Sequence, residues 1–464
     1  MCCRHLGLAI LLIVTACGGA DSSRVTTTPE QPELSQATTA PTTTTTTTAP
    51  TTTTTSTTTT TSIPREPTAA SADPEICRLA DSRPPNGVPY SVGFPLDGNT
   101  PAKGNIRVAL IPIDFSDSVG TSNELDNAAS QIEKFNEWIA FSSRSSLTVE
   151  WSYHRTWIRA LQPSTEYNLN AEAVYGAMGG GDARPYKATV QAFGTEMIAL
   201  ADPFIDFTDN QFVFFLLPKS IVHIDPHVGF FHLEVPSDEG TLAKMWGGGA
   251  FFNRPDNYGD PKELWSVWIH EIGHTFGLAG HAPVAIVGKE TEVGSTNSDL
   301  HLMGNQDALH KVFSAWDQWL LGWLPEDDVY CLPAQQLGRS DLELIALERT
   351  GTGYRTAIIP LSATSALVVE SHRGEGFAER ALPYGNGIVV YIIDTTIDYD
   401  RSGESQGKAL ERFAVYIAPT TATKSRMSRA PYDPFLSVGE SITHDGVTVQ
   451  FIHDGPNDVI RITR

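Results

Sequence analysis

The sequence predicts an α+β fold on two observations. Strand-like and helix-like hydrophobic periods interleave from residue 106 to about residue 325, and short alternating runs separated by Gly, Asn and Asp replace them after Leu324. In the first half, IRVALIPIDF at 106–115 is an aliphatic run of strand length, expected at the centre of a sheet. AASQIEKFNEWIAF follows with Ala128, Ile132, Phe135 and Ile139 at steps of three and four, a helical period. Leu147, Val149 and Trp151 then alternate at step two, as a strand does. A second amphipathic helix is expected over 187–201, with Val190, Phe193, Met197 and Ala201 in register, and a buried strand over 211–218. In the second half ALVVES, GIVVYIID and GVTVQFI read as strands of a β-sandwich-like region, the last entered through the turn-forming HDG at 444–446. No repeat of fixed period occurs outside a Thr tract.

The 464 residues carry 32 Lys plus Arg against 54 Asp plus Glu, a net charge of −22. That balance argues against nucleic acid and anionic lipid as principal partners. With 41% hydrophobic residues the chain can bury a full core. Arg4, Arg24 and Arg65 nearly balance Asp21, Glu30, Glu33 and Glu66 within residues 1–72, so the acidic part is the part expected to fold.

Residues 1–17, MCCRHLGLAILLIVTAC, combine one Arg, an apolar run from Leu6 to Val14, small residues and a cysteine. The run is too short to span a bilayer permanently. VTAC resembles the lipobox of bacterial lipoproteins, which implies that Cys17 is diacylated and becomes the mature N-terminus on the outer face of the cell membrane. Residues 18–72 contain a Thr- and Pro-rich tract from Thr26 to Ser62, too poor in large apolar side chains to offset its ordering entropy, and are expected to be a disordered stalk. Of five cysteines, Cys2 and Cys3 leave with the signal and Cys17 is lipidated, which leaves Cys77 and Cys331. Two cysteines in an oxidising compartment suggest one disulfide between them.

The chemistry is concentrated in LWSVWIHEIGHTFGLAGH, residues 264–281. His270, Glu271 and His274 form HExxH; on a helix the two His, four residues apart, share a face and can bind one metal ion. Neutral imidazoles suit Zn²⁺, and a catalytic site uses three protein ligands and keeps one position for water. Glu271 then stands where a general base takes the proton of that water and delivers it to a leaving amine. The preceding LWSVWI is apolar, so His and Glu on a helix it buries carry a desolvation cost that metal binding can offset. Gly277 is placed to end the helix in a left-handed turn and return the chain to the metal, a metzincin-like arrangement. The metzincin pattern puts its third ligand at position 280, which is Gly here, and His281 follows one residue later as the candidate. Glu290 or Glu292 from the next loop are the alternatives, with Asp299 and His301 behind them.

HEIGHTFGL, LMGN at 302–305 and SAWDQWLLGWL at 314–324 resemble the immune-inhibitor-A-like secreted metalloproteases, and ALVVESHRGEGF, LPYGNGIVVYIID and VGESITHDGVTV extend the resemblance over roughly residues 104–455. The resemblance implies a zincin-like catalytic domain with a mixed sheet, one catalytic Zn²⁺ on His270 and His274, Glu271 as base, and Met303 as the floor beneath the ligands. Members often carry Pro-Asp after the HExxHxxGL stretch, where this chain has Ala279, Gly280 and His281.

Other features carry less. His223, His227 and His232 are spaced four and five apart across a proline and fit no regular element. TLAKMWGGGAFFN at 241–253 can offer an extended edge to substrate backbone. DTTIDYDRSGE is acidic, but its spacing matches no Ca²⁺ loop. The reading is therefore a zincin-like domain over 73–330 and a β-rich domain over 331–464: a monomeric, lipid-anchored zinc endopeptidase acting on proteins or peptides. A catalytically idle surface binding protein and a non-peptidase zinc hydrolase of the cell envelope are the alternatives, and residues 63–105 stay open as a pro-segment.

Overall fold

A computed structural model describes residues 70–83, 90–98, 100–170, 172–173, 184–225, 229–246, 263–280, 284–286, 300–381, 385–397, 413–422 and 432–464. Cys17 and residues 18–69 lie outside them; the last residues of the stretch expected as a stalk are bonded to the folded region, the Ala72 N–H donating to the Cys331 carbonyl at 2.7 Å and the Cys331 N–H to the Ser71 hydroxyl at 3.0 Å. Six strands, β1 (Gly104–Asp114), β2 (Leu147–Tyr153), β3 (Ile158–Arg159), β4 (Asn210–Leu216), β5 (Gly229–Ser237) and β6 (Gly240–Trp246), form one sheet in the order β2-β1-β4-β6-β5, with β3 pairing the end of β1. All pairings are parallel except β5 with β6, so the sheet is mixed and its antiparallel member lies at an edge. β1 is central, as its aliphatic run requires. Its alternate residues face opposite ways: Ile106, Val108 and Leu110 enter one hydrophobic cluster, Ala109, Ile111 and Ile113 another.

Helices cover both faces. The helix α1 (Ser122–Ser142) starts at a capping box in which Thr121 and Glu124 satisfy each other's main-chain N–H groups. It contributes Phe135, Trp138 and Ile139 to the first cluster. On the other face α2 (Arg184–Ala201) buries Val190, Phe193, Met197 and Ala201, the four positions its period picked out. A third helix, α3 (Leu264–Thr275), packs beside α1. Within the edge expected at 241–253, β6 pairs with β5 along its length and is bonded on its other side by β4 at Met245 and Trp246. β5 takes the edge by folding back through the turn at Gly240, whose φ is +145°.

The second half supplies two further sheets. The strands β7 (Val284–Ile286), β8 (Val329–Cys331), β10 (Thr356–Pro360), β11 (Ser365–His372), β12 (Gly387–Asp394) and β13 (Ala414–Ala418) run in the order β7-β13-β12-β11-β10-β8. β9 (Arg339–Leu344), β14 (Ser441–His444), β15 (Val447–His453) and β16 (Asp458–Thr463) run β14-β15-β16-β9. Ile359, Leu367 and Val390 of the larger sheet share a cluster with Leu342, Val449 and Ile460 of the smaller. The HDG turn forms as expected, with Asp445 and Gly446 both at positive φ between β14 and β15.

No break in packing accompanies the boundary expected between residues 330 and 331. Val368, Tyr391 and Tyr416 belong to the same cluster as Phe276, Met303 and Trp316, and β7 pairs in parallel with β13. The change of texture marks the end of the helices instead. A short fourth helix, α4 (Ala315–Leu320), is capped by Ser314, whose hydroxyl accepts from the Asp317 N–H, and buries Trp316 and Trp319. Cys77 and Cys331 form a disulfide with their Cα atoms 5.9 Å apart. Part of the stretch left open as a pro-segment is seated in the main core through Leu79, Tyr90 and Val92. Among the described residues no helix is long and apolar enough to cross a membrane.

Candidate metal centre

α3 is buried along its whole length, which is why LWSVWI carries no polar stripe. His270 is fully buried, and Glu271 and His274 are each 5% exposed. The i, i+4 spacing brings the two Nε2 atoms to 3.2 Å. The other ring nitrogens fix the tautomers: His270 Nδ1 donates to the Leu302 carbonyl at 2.5 Å and His274 Nδ1 to the Leu278 carbonyl at 3.1 Å. With each Nδ1 facing a carbonyl, the two Nε2 atoms face one another and, in the neutral rings, both can ligate one metal ion. Main-chain carbonyls on the far nitrogens are the support that metal-bound histidines have. Burial first, and the neighbouring His270 second, hold the His274 pKa down to about 3, so its ring is neutral over the physiological range. A Glu271 carboxylate oxygen lies within 4.8 Å of both ligand nitrogens. The group can hold a metal ion.

Two glycines make this geometry reachable. Gly277, at φ +99°, turns the chain left-handed at the helix end and so aims the Leu278 carbonyl back at His274. The turn is held from outside by the Ser91 N–H, which donates to the Gly277 carbonyl at 2.8 Å, and Tyr90 stands edge-on to the His274 ring. Gly280 passes so close to the next segment that a Cβ there would fall 2.6 Å from the Met303 carbonyl oxygen and 3.2 Å from His274 Cε1. A metzincin histidine therefore has no room at position 280. Met303 packs its sulfur against Gly273 of the helix. Gly280→Ala is expected to lower stability by about 1–3 kcal/mol and to weaken metal retention together. Thermal denaturation and zinc titration of the variant check this, and wild-type behaviour in both would refute the close-approach argument.

His281, Glu290, Glu292 and Asp299 all lie outside the described residues. His301 is described and turns elsewhere. It is 2.7 Å from Glu370 and 3.1 Å from His372, in a buried set that also includes Glu348 and His310. Sequence reasoning did not single out Glu370, His372, Glu348 or His310. The available signal was Glu370-x-His372 in ALVVESHRGEGF, where step two on a strand puts both side chains on one face. His223 is exposed, and His227 lies outside the described residues.

No family model and no curated protein matches this chain.

Proposed function

We propose that this protein is a zinc-dependent endopeptidase, tethered outside the cell membrane through lipidated Cys17. The observation that carries the reading is the pair of Nε2 atoms 3.2 Å apart, each with a carbonyl on its far nitrogen, and the Glu271 carboxylate beside them. The mixed sheet with an antiparallel edge strand and a buried HExxH helix supports a zincin-like catalytic region, and two sheets sharing one core support a β-sandwich-like region after it. The resemblance of HEIGHTFGL, LMGN and SAWDQWLLGWL to the immune-inhibitor-A-like proteases agrees with both.

Two imidazoles suit Zn²⁺, and a catalytic site takes a third protein ligand, for which His281, Glu290 and Glu292 are the candidates of the sequence. When bound, Zn²⁺ supplies a Lewis acid for the scissile carbonyl and lowers the pKa of water toward about 7. The protein's own groups do the rest. The Leu302 and Leu278 carbonyls keep both rings in the ligating tautomer, and Met303 holds the helix floor. Glu271, not needed as a ligand, accepts the proton of the attacking water and returns it to the leaving amine. Structural zinc sites need no such base, which favours an enzyme over an idle binding protein.

The test is metal removal on the full chain. Chelation should abolish cleavage of casein, and added Zn²⁺ should restore it. Release of muropeptides from cell walls without casein cleavage would replace this reading by an envelope hydrolase, and metal-independent inertness toward both would replace it by a binding protein.

A further inference from the structure

The buried set around His372 repeats the signature of the HExxH pair with different residues. Glu370 Oε1 lies 2.7 Å from His301 Nε2 and 2.9 Å from His372 Nε2, and the two nitrogens are 3.1 Å apart. These three side chains are 0–2% exposed. A triangle with such edges is what three donors at about 2.0–2.2 Å from one cation span when their bonds stand near right angles. The far nitrogens are again occupied. His372 Nδ1 faces Glu348 Oε1 at 2.7 Å, and a carboxylate there can only accept, so that nitrogen carries the proton. His301 Nδ1 is hydrogen-bonded to the Tyr416 hydroxyl. The second oxygens are satisfied as well: Glu370 Oε2 accepts from the Ala315 N–H at 2.8 Å and from the Tyr391 hydroxyl at 3.0 Å. Glu348 Oε2 accepts from the Arg373 N–H at 2.9 Å, and its Oε1 also takes the His310 Nδ1–H at 2.7 Å. Glu348 and Tyr416 therefore stand as the supporting shell, and two nitrogens and one oxygen are left converging.

From this geometry we propose that His301, Glu370 and His372 bind a divalent transition cation of their own, apart from the ion on His270 and His274. Two imidazoles and one carboxylate are a donor set for first-row divalent ions, Zn²⁺ among them. A small cavity lined by His301, Ser314, Asp317 and Tyr416 has room for one water beside the triad.

The site's consequence is mechanical. His301 immediately precedes Leu302, whose carbonyl orients His270, and Met303, which packs on Gly273. A cation joining His301 to β11 would anchor the segment on which the first centre rests. This inference does not require that the first centre be catalytic.

The experiment is metal counting by mass spectrometry on the full chain, loaded with Zn²⁺ and then freed of loose ions. Wild type should retain two equivalents, and His270→Ala/His274→Ala should retain one. Glu370→Gln/His372→Gln should lose one and also release the other more readily. Since that last variant leaves buried groups unpaired and can fail to fold, Co²⁺-loaded wild type provides an independent readout: two spectroscopically distinct ions are expected. One equivalent in wild type and none in His270→Ala/His274→Ala would overturn the proposal while sparing the HExxH reading. One equivalent in wild type that survives His270→Ala/His274→Ala would uphold the second site and overturn the first.

Discussion

Glu271→Gln is expected to lower kcat for peptide hydrolysis by roughly 10²–10⁴-fold, the range that a positioned general base contributes. KM and bound zinc should stay near wild type. The side chain is only 5% exposed, and glutamine keeps its shape and volume, so packing on α3 is preserved. What disappears is the ability to accept a proton beside two neutral imidazoles. Neither histidine can replace it, because each Nδ1 is committed to a main-chain carbonyl and each Nε2 to the metal position. Steady-state kinetics on a casein-derived peptide, run alongside zinc analysis, make the comparison. A variant that keeps its metal and hydrolyses within threefold of wild type would remove Glu271 from the mechanism.

The second large effect concerns folding. Cys77 and Cys331 are 254 residues apart, and closing so long a loop in the unfolded chain corresponds to about 5 kcal/mol in the chain-entropy model. Cys77→Ser/Cys331→Ser should therefore lose several kcal/mol in equilibrium denaturation, and reducing agent should destabilise wild type but not the variant. The loss should extend to the metal centre. Ser91 and Tyr90, which hold the Gly277 turn and flank His274, follow Cys77 in the segment that the disulfide fastens. A denaturation midpoint unchanged by the substitutions would show that the lead-in is held by Leu79 and Val92 packing alone.

Much of the fold was legible because its signals are local. Val190, Phe193, Met197 and Ala201 specify one face of α2, and Ile106 to Ile113 form a run that only a strand buried on both faces tolerates. The HExxH pair was legible for the same reason, since one helical turn supplies both imidazoles. The His301, Glu370 and His372 triad was not, because its members come from a loop and a strand some seventy residues apart and meet only through tertiary packing. The place of β6 was also hidden: whether a strand is an edge depends on its neighbour, and β5 folds back over it. His281, at the point where the metzincin pattern breaks, belongs to the part of the chain outside the described residues.

The acceptors that orient His270 and His274 are main-chain carbonyls, and this has a consequence for how such a site tolerates genetic drift. Any apolar residue that fits the core at 278 or 302 offers the same oxygen in the same place, so the identities of those two leucines record nothing about the chemistry they serve. The constraint falls on Gly277 and Gly280 instead, which touch no metal and carry no functional group. In a lineage that keeps this centre, the residues under strongest selection beside HExxH would be the ones with least to contribute chemically.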